Sequence, residues 1–368
     1  FPGNMTGHRF KESRDSQHMK WFGNLSRTPH MTLLAASCIA ASGLIGSAAS
    51  AQQGPAQPPP QFRNLSPASS ELAIEWLDRI GRSARELPYT GVFVHQTAEG
   101  ASSTRITHLL DKQGVEHERI EPMEGPVAEI IRRNDEMYCY KPETRTVSID
   151  RRATGRFFPS LVTGNARAIA ENYHVKLGNV ERIAGFDCQW VILEPKDSMR
   201  YMQKLCADIG TGLLLRAKLF NDRRQVVEQF MFTQLDVTRS VARQAIKSRF
   251  EHLAGWQKEF AVKSAKDTET GWQVGNLPAG FRKVMEMTRN LVGRPAPVSH
   301  LVFSDGVLSV SVFVESAQIA PNTATSVLAE DGPTSFAMRA VADHQVTVMG
   351  EVPLAAVQTI ADGVTRRR

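Results

Sequence analysis

Residues 188–208, CQWVILEPKDSMRYMQKLCAD, decide the fold. Two β-rich runs, 188–194 and 201–208, flank Pro195-Lys196-Asp197-Ser198, a break of turn-forming residues that folds the second run back along the first. Folding about Asp197 sets Cys188 opposite Cys206, since both lie nine residues from that centre. Directly opposed residues on antiparallel strands have the short Cβ separation that a disulfide requires. A register shifted by one residue leaves two buried thiols instead, and the sequence keeps both outcomes open. Cys139 is then expected to be an unpaired, buried thiol.

Short strands continue on both sides of this hairpin. Downstream, Thr211-Gly212 turns into a run at 213–220, and 226–237 closes the series. Upstream lie runs at 175–178 and 180–183, preceded by a helical stretch at 165–173. Earlier still, 89–96, 104–110, 115–120 and 147–151 read as strands, and 130–133 with 136–140 flank Asn134-Asp135, a good two-residue hairpin turn. A helix capped at Ser66 or Ser69 and running to about Glu86 puts Leu72, Trp76, Ile80, Ala84 and Leu87 on one face. A helix with one apolar stripe must lie on something, and the sheet is the available surface. The reading is α+β, a large curved antiparallel sheet wrapped around helices. The βαβ alternation of a doubly wound nucleotide-binding fold is missing.

A length of 368 residues suggests two domains at roughly 150 residues each. Residues 66–239 make the first. Residues 240–268, charged and poor in β-branched side chains, read as a linker with some helix. A second β-rich unit spans 269–364. Its turn at Leu277-Pro278-Ala279-Gly280-Phe281 feeds a strand at 282–288. Its clearest hairpin joins 301–304 to 307–315 about Asp305-Gly306, which reads as a type I′ turn. A strand at 341–348 and a helix at 353–361 complete it.

The N-terminus carries a compartment signal. Lys20 and Arg27 precede an uncharged apolar stretch, 33–45, and then Ala49-Ser50-Ala51, a small-x-small cleavage site. The stretch is about a dozen residues long, short of the ~20 that span a bilayer. Residues 1–51 are therefore expected to be a secretory leader with an upstream extension, and 52–65 a Gln/Pro/Ala tether. Cys38 sits in a poor lipoprotein context. The formal charge of +6 owes much to Arg9, Lys11, Arg14, Lys20 and Arg27 in the leader, so the exported part is only mildly basic and a nucleic-acid partner is not indicated.

Motifs of chemistry are missing: no G-x-S-x-G, H-E-x-x-H, P-loop or C-x-x-C occurs. His108 and His117 flank a turn near Lys112-Gln113 and are read as cross-strand neighbours on a wet face. Glu116, Glu118, Glu121 and Glu124 are read as a solvated acidic rim beside them. No metal, cofactor or catalytic residue is assigned. What the first domain offers is a concave apolar surface, with Trp76 and Ile80 either lining an acyl cavity or filling it.

Motifs along the whole chain beyond the tether resemble the RseB/MucB family. They are Arg132-Arg133-Asn134-Asp135-Glu136 with Cys139-Tyr140, Arg182-Ile183-Ala184-Gly185, Asp197-x-x-Arg200-Tyr201, and Thr211-Gly212-Leu213-Leu214-Leu215. They continue with Leu277-Pro278-x-Gly280-Phe281, Phe303-Ser304-Asp305-Gly306, 309–315 and 345–353. The resemblance implies a half-open β-barrel of LolA/LolB type followed by a smaller antiparallel sheet-and-helix domain. It also implies a periplasmic, non-enzymatic protein that binds the periplasmic segment of an anti-sigma factor of the RseA/MucA type. Binding would shield that segment from the site-1 protease, and lipopolysaccharide or a related acyl ligand would loosen the complex. Ser304, Asp305 and Gly306 are the expected grip on the partner. Self-association is compatible with this reading, and a LolA-type lipid carrier is the alternative to it.

Overall fold

The computed structural model describes residues 67–150, 157–237, 240–250, 254–260, 265–266, 269–289, 296–316 and 327–367. The expected leader and tether lie outside them. The described residues fall within one compact unit.

Helix α1 (Pro67–Glu86) opens this unit. Its first residue is proline, which has no N–H to leave unsatisfied at a helix start. Ala73, Leu77, Ile80 and Ala84 recur at helical spacing, and all are buried. Ile80 and Ala84 belong to the expected stripe, but at its start the buried positions are Ala73 and Leu77, leaving Leu72 47% exposed and Trp76 half-buried.

Eleven strands follow in antiparallel order. They are β1 (Tyr89–Thr97), β2 (Gly100–Leu110), β3 (Glu116–Pro122), β4 (Glu129–Arg133), β5 (Glu136–Lys141), β6 (Thr146–Asp150), β7 (Tyr173–Ile183), β8 (Phe186–Pro195), β9 (Met202–Asp208), β10 (Leu214–Phe220) and β11 (Val226–Val237). With β12 (Gln257–Phe260), parallel to β6, they form one open sheet ordered β12-β6-β5-β4-β3-β2-β1-β11-β10-β9-β8-β7. The two runs expected at 175–178 and 180–183 are one strand, β7, with an irregularity between Leu177 and Val180. α1 packs on β2, β7, β8 and β10, and so crosses the concave face. Helix α2 (Ala166–Asn172) packs on α1 and β7, and its Asn165 cap accepts from the N–H groups of Arg167 and Ala168 at 3.0 and 3.2 Å.

The β8–β9 hairpin contains the bridge. Cys188 and Cys206 are joined, with their Cα atoms 5.4 Å apart. The register differs from the expected one by two residues: Cys188 faces Asp208 and Cys206 faces Trp190. The strands stop at Pro195 and resume at Met202, so Arg200 and Tyr201 belong to the connection rather than to β9. The bridge therefore runs diagonally between neighbouring strands. Cys139 is a free, buried thiol, pushed up to about 11 by burial.

The stretch read as a linker with some helix packs on the first sheet where it is described. Ile246, in a short 3-10 turn (Arg243–Ile246), is buried. Ser248 Oγ and the Arg249 N–H both donate to the buried Glu129 carboxylate, while the Phe250 ring lies tilted against Tyr140 and the Trp256 ring meets it edge-on.

The second sheet is smaller. Its strands are β13 (Ala265–Lys266), β15 (Arg282–Arg289), β16 (Val298–Ser304), β17 (Ser309–Ser316), β18 (Val327–Asp331), β19 (Thr334–Val341) and β20 (His344–Gly350), ordered β13-β15-β16-β17-β20-β19-β18. A short pair, β14 (Trp272–Val274) with β21 (Val364–Arg366), flanks helix α3 (Leu354–Gly363), which covers β18, β19 and β20. The expected strand at 341–348 is in fact the turn and second arm of a β19–β20 hairpin, and β18 was not anticipated. The fold is α+β: an open sheet with helices on its concave face, and a separate smaller antiparallel sheet with its own helix.

Closing the loop between positions 188 and 206, which are 18 residues apart, restricts the unfolded chain. Replacing both cysteines by serine is expected to lower the unfolding free energy by about 3 kcal/mol. Urea denaturation under non-reducing conditions measures this, and equal stability of the two proteins would mean that the thiols are not joined.

Candidate functional site: the seam between the two sheets

The β8–β9 connection sends Arg200 across to the second sheet. Its side chain is fully buried, and every arm of the guanidinium is engaged. Nε donates to Asp305 Oδ2 at 3.1 Å, Nη1 to Asp197 Oδ2 at 2.5 Å, and Nη2 to the Ala279 carbonyl. The rings of Tyr173 and Phe281 lie 5.5 and 5.3 Å from its central carbon. The Asp305 side chain is fully buried as well. Its Oδ2 also accepts the Tyr173 hydroxyl at 2.9 Å, and its Oδ1 accepts the N–H groups of Val307 and Leu308 at 3.0 and 2.8 Å. Burial, together with the adjacent Asp305 charge, pushes the Tyr173 hydroxyl well above the usual phenol range. Tyr173 stays a donor at any physiological pH.

Backbone locks the same place. Gly306 has φ +96°, a conformation that L side chains rarely adopt, and a Cβ built there would stand 2.7 Å from the Gly164 Cα. The Gly306 carbonyl accepts the N–H groups of Thr163 and Gly164 at 2.9 and 3.0 Å. Ser304 Oγ donates to the Leu308 carbonyl at 2.7 Å and accepts the Gly306 N–H at 3.0 Å. Only Gly306 of the Asp305-Gly306 pair has positive φ, so the turn is closed by the Asp305 side chain and is not the expected type I′. Of Ser304, Asp305 and Gly306, read from the sequence as a grip on the partner, Asp305 and Gly306 are buried and bond across to the first sheet, while the half-buried Ser304 bonds only within its own turn. Around them the apolar cores interlock. Tyr201 and Leu219, from the first sheet's hairpins, are buried in the second core, and Val307 packs against the first.

Trp76 and Ile80, read from the sequence as either lining an acyl cavity or filling it, both pack on the first core. Ile80 is wholly buried in the first core, and Trp76 packs against it with the Arg79 guanidinium 5.0 Å from its ring. A shallow groove of about 170 Å³ does exist, lined by Asn179, Glu181, Trp190, Ile192, Lys204, Lys218 and Phe220. Lys218 Nζ lies 5.6 Å from the Trp190 ring and Lys204 Nζ 5.2 Å from the Phe220 ring. Partial burial and the neighbouring Arg216 lower the Lys218 pKa.

The histidines are scattered. His95 bonds Glu228 at 2.7 Å, and His117 bonds Asp111 at 3.0 Å. His108 faces Glu118 across the β2–β3 pair, while His117 faces Leu109, so the two are not cross-strand partners. Nor are Glu116 and Glu118 a solvated rim: both are buried. They alternate in phase with Ile120 along β3, and that phase is the sequence signal that places them inside.

Three of the motifs that carry the family resemblance meet at the seam: Asp197-x-x-Arg200-Tyr201, the 277–281 turn and Phe303-Ser304-Asp305-Gly306. Comparison with known proteins agrees with it. The MucB/RseB N-terminal domain model matches residues 72–250, and the MucB/RseB C-terminal domain model matches residues 266–365. The chain is 28% identical over 294 residues to the sigma factor AlgU regulatory protein MucB of Pseudomonas aeruginosa, covering 78% of this chain and 89% of that one. It is 23% identical over 305 residues to the sigma-E factor regulatory protein RseB of Escherichia coli K12, covering 82% and 92%. Among solved structures, the P. aeruginosa MucA/MucB complex matches with a TM-score of 0.64 at 25% identity, covering 80% of this chain and 99% of that one. MucB in complex with MucA(peri) matches with a TM-score of 0.63 at 26% identity, with the same coverage.

Arg200→Met leaves Asp305 buried without its counter-charge. The expected loss of unfolding free energy is about 3–5 kcal/mol by urea denaturation. A loss below about 1 kcal/mol would show that water reaches the carboxylate and that the pair is not a buried one.

Proposed function

The chain belongs to the MucB/RseB family, and from that premise we propose that it is a periplasmic regulator that acts by binding an anti-sigma factor of the RseA/MucA type. In this reading it covers the periplasmic segment of that factor and shields it from site-1 proteolysis. The sigma-E-type factor then stays captive until a lipopolysaccharide-type or other acyl ligand loosens the complex. One observation carries the reading: both family models match in order, and the likeness to MucB solved with MucA(peri) takes in 99% of that chain. The relatives bear regulatory names, which supports a role in binding rather than catalysis. Export through the leader at 1–51 belongs to the same proposal.

Geometry supports a two-sheet binder over the alternative of a LolA-type lipid carrier. A carrier needs an open cavity under its helix, whereas Ala73, Leu77, Ile80 and Ala84 of α1 are buried in the first core. Ligand control then requires a second arrangement that an acyl chain favours by differential affinity. The tightly packed arrangement described above is the one assigned to the inhibitory state.

The test is a protection assay. The periplasmic segment of a MucA-type anti-sigma factor is incubated with its site-1 protease, with and without this protein. Retention of the segment on the immobilised protein and slower cleavage in its presence are expected. Absence of both, with acyl lipid co-purifying, would replace the regulator by the carrier.

A further inference from the structure

We propose that His108, Glu116 and Glu118 form a binding site for a divalent transition cation of the zinc class. The site lies in the first sheet beneath the end of α1, and the inference rests on that sheet alone, independently of the proposed function.

A polar row crosses four strands there. Tyr89 on β1 pairs with His108 on β2, His108 with Glu118 on β3, and Glu118 with Arg132 on β4. All four are buried, where the neighbouring row carries apolar side chains such as Ile106 and Ile120. Buried ionisable groups are expensive unless each is matched, so such a row requires an account of every donor and acceptor.

His108 is fixed in the manner of a metal ligand. Its ring stacks on Tyr89, with centroids 4.7 Å apart and planes 12° from parallel. Its Nδ1 lies 2.8 Å from the Leu87 carbonyl at the end of α1. A carbonyl only accepts, so Nδ1 carries a proton, and Nε2, on the other side of the ring, is the atom left to face the carboxylates or to ligate an ion. A backbone carbonyl on the far nitrogen is the usual way in which a ligating histidine is oriented. Nε2 is fully buried, has no hydrogen-bond partner among the described residues, and points at Glu116 Oε1 from 3.6 Å, beyond hydrogen-bonding range.

Glu118 is divided in the same way. Its Oε2 takes the Arg132 guanidinium at 2.8 Å, while its Oε1 is buried without a hydrogen-bond partner among the described residues. One donor atom from each of His108, Glu116 and Glu118 lies within 4.8 Å of the others. Tetrahedral zinc–nitrogen and zinc–oxygen bonds of about 2.0–2.2 Å place two donors of one ion roughly 3.3–3.6 Å apart. Side-chain movements of about an ångström therefore draw the three donors onto one ion. Arg132, which holds Glu118 Oε2, also gives its Nε to the Asn134 carbonyl at 2.7 Å, so the guanidinium stays on one side of the Glu118 carboxylate and leaves Oε1 on the other. An imidazole with two carboxylates suits zinc and its neighbours better than calcium, which takes six to eight oxygens. Water completes the coordination. The ion ties β2 to β3 where α1 ends.

The experiment is a zinc chloride titration of the mature, tag-free protein after removal of metal with EDTA, followed by calorimetry and by elemental analysis of the dialysed sample. One equivalent per chain and a higher Tm are expected. Glu116→Gln, nearly isosteric, and His108→Gln should each weaken binding by at least about 100-fold, the upper end of what loss of a supporting partner alone costs. His117→Gln and His95→Gln should bind as the parent does. If His108→Gln fails to fold, Glu116→Gln alone decides. Retention of under about a tenth of an equivalent by the parent protein, unchanged affinity in Glu116→Gln, or loss confined to His117→Gln or His95→Gln would each overturn the proposal.

Discussion

A buried ion pair, Arg200 with Asp305, lies at the centre of the seam and sets how the two sheets meet. Neither charge reaches water, and each is bonded on every side that matters. Asp197, Asp305 and the Ala279 carbonyl surround the guanidinium, while Tyr173 and two turn amides surround the Asp305 carboxylate. Such a pair adds little net stability over an apolar replacement of the same shape, because desolvation offsets most of the attraction. What it supplies is geometry. A guanidinium that must meet three acceptors in its own plane tolerates one docking angle between the sheets, and a displaced arrangement leaves charge buried and unmatched.

Hydrophobic burial does the complementary work. Tyr201 and Leu219 leave the first sheet to complete the second core, and Val307 leans back on the first. Gly164 and Gly306 let the two backbones approach until no side chain fits between them. Charge pairing sets the angle, and apolar surface supplies the free energy. A fixed relation between two sheets defines one composite surface. A ligand that disturbs the seam has a direct route to disturbing that surface.

Much of the architecture was legible locally. Asn134-Asp135 announced its hairpin, and the runs around 188–208 announced theirs, because turn chemistry and β-branched content sit within a few residues of each other. The bridge register was off by two because the connection runs from 196 to 201, longer than a turn centred on Asp197. The β19–β20 turn was invisible for a different reason: Ala342 holds φ +52°, where glycine or asparagine would have signalled it. β18 is exposed at every residue and so carries no alternation to read. The seam could not be derived at all from local pattern. Arg200 and Asp305 lie 105 positions apart, and Asp305-Gly306 reads as an ordinary turn until its partners are in place. The buried acidic row is readable in principle, since Glu116 and Glu118 share the phase of Ile120, although their charge argues for the solvent face.

The measurement that bears most directly on this account is amide hydrogen exchange at the seam. The N–H groups of Thr163 and Gly164, bonded to the Gly306 carbonyl, and those of Val307 and Leu308, bonded to Asp305, report on it from both sides. If the two sheets are locked as one body, all four exchange only by the opening that also frees the central strands, with matching protection. Rapid exchange at these amides, while those of β8 and β17 stay protected, would mean that the sheets separate freely and that the ion pair does not fix their arrangement.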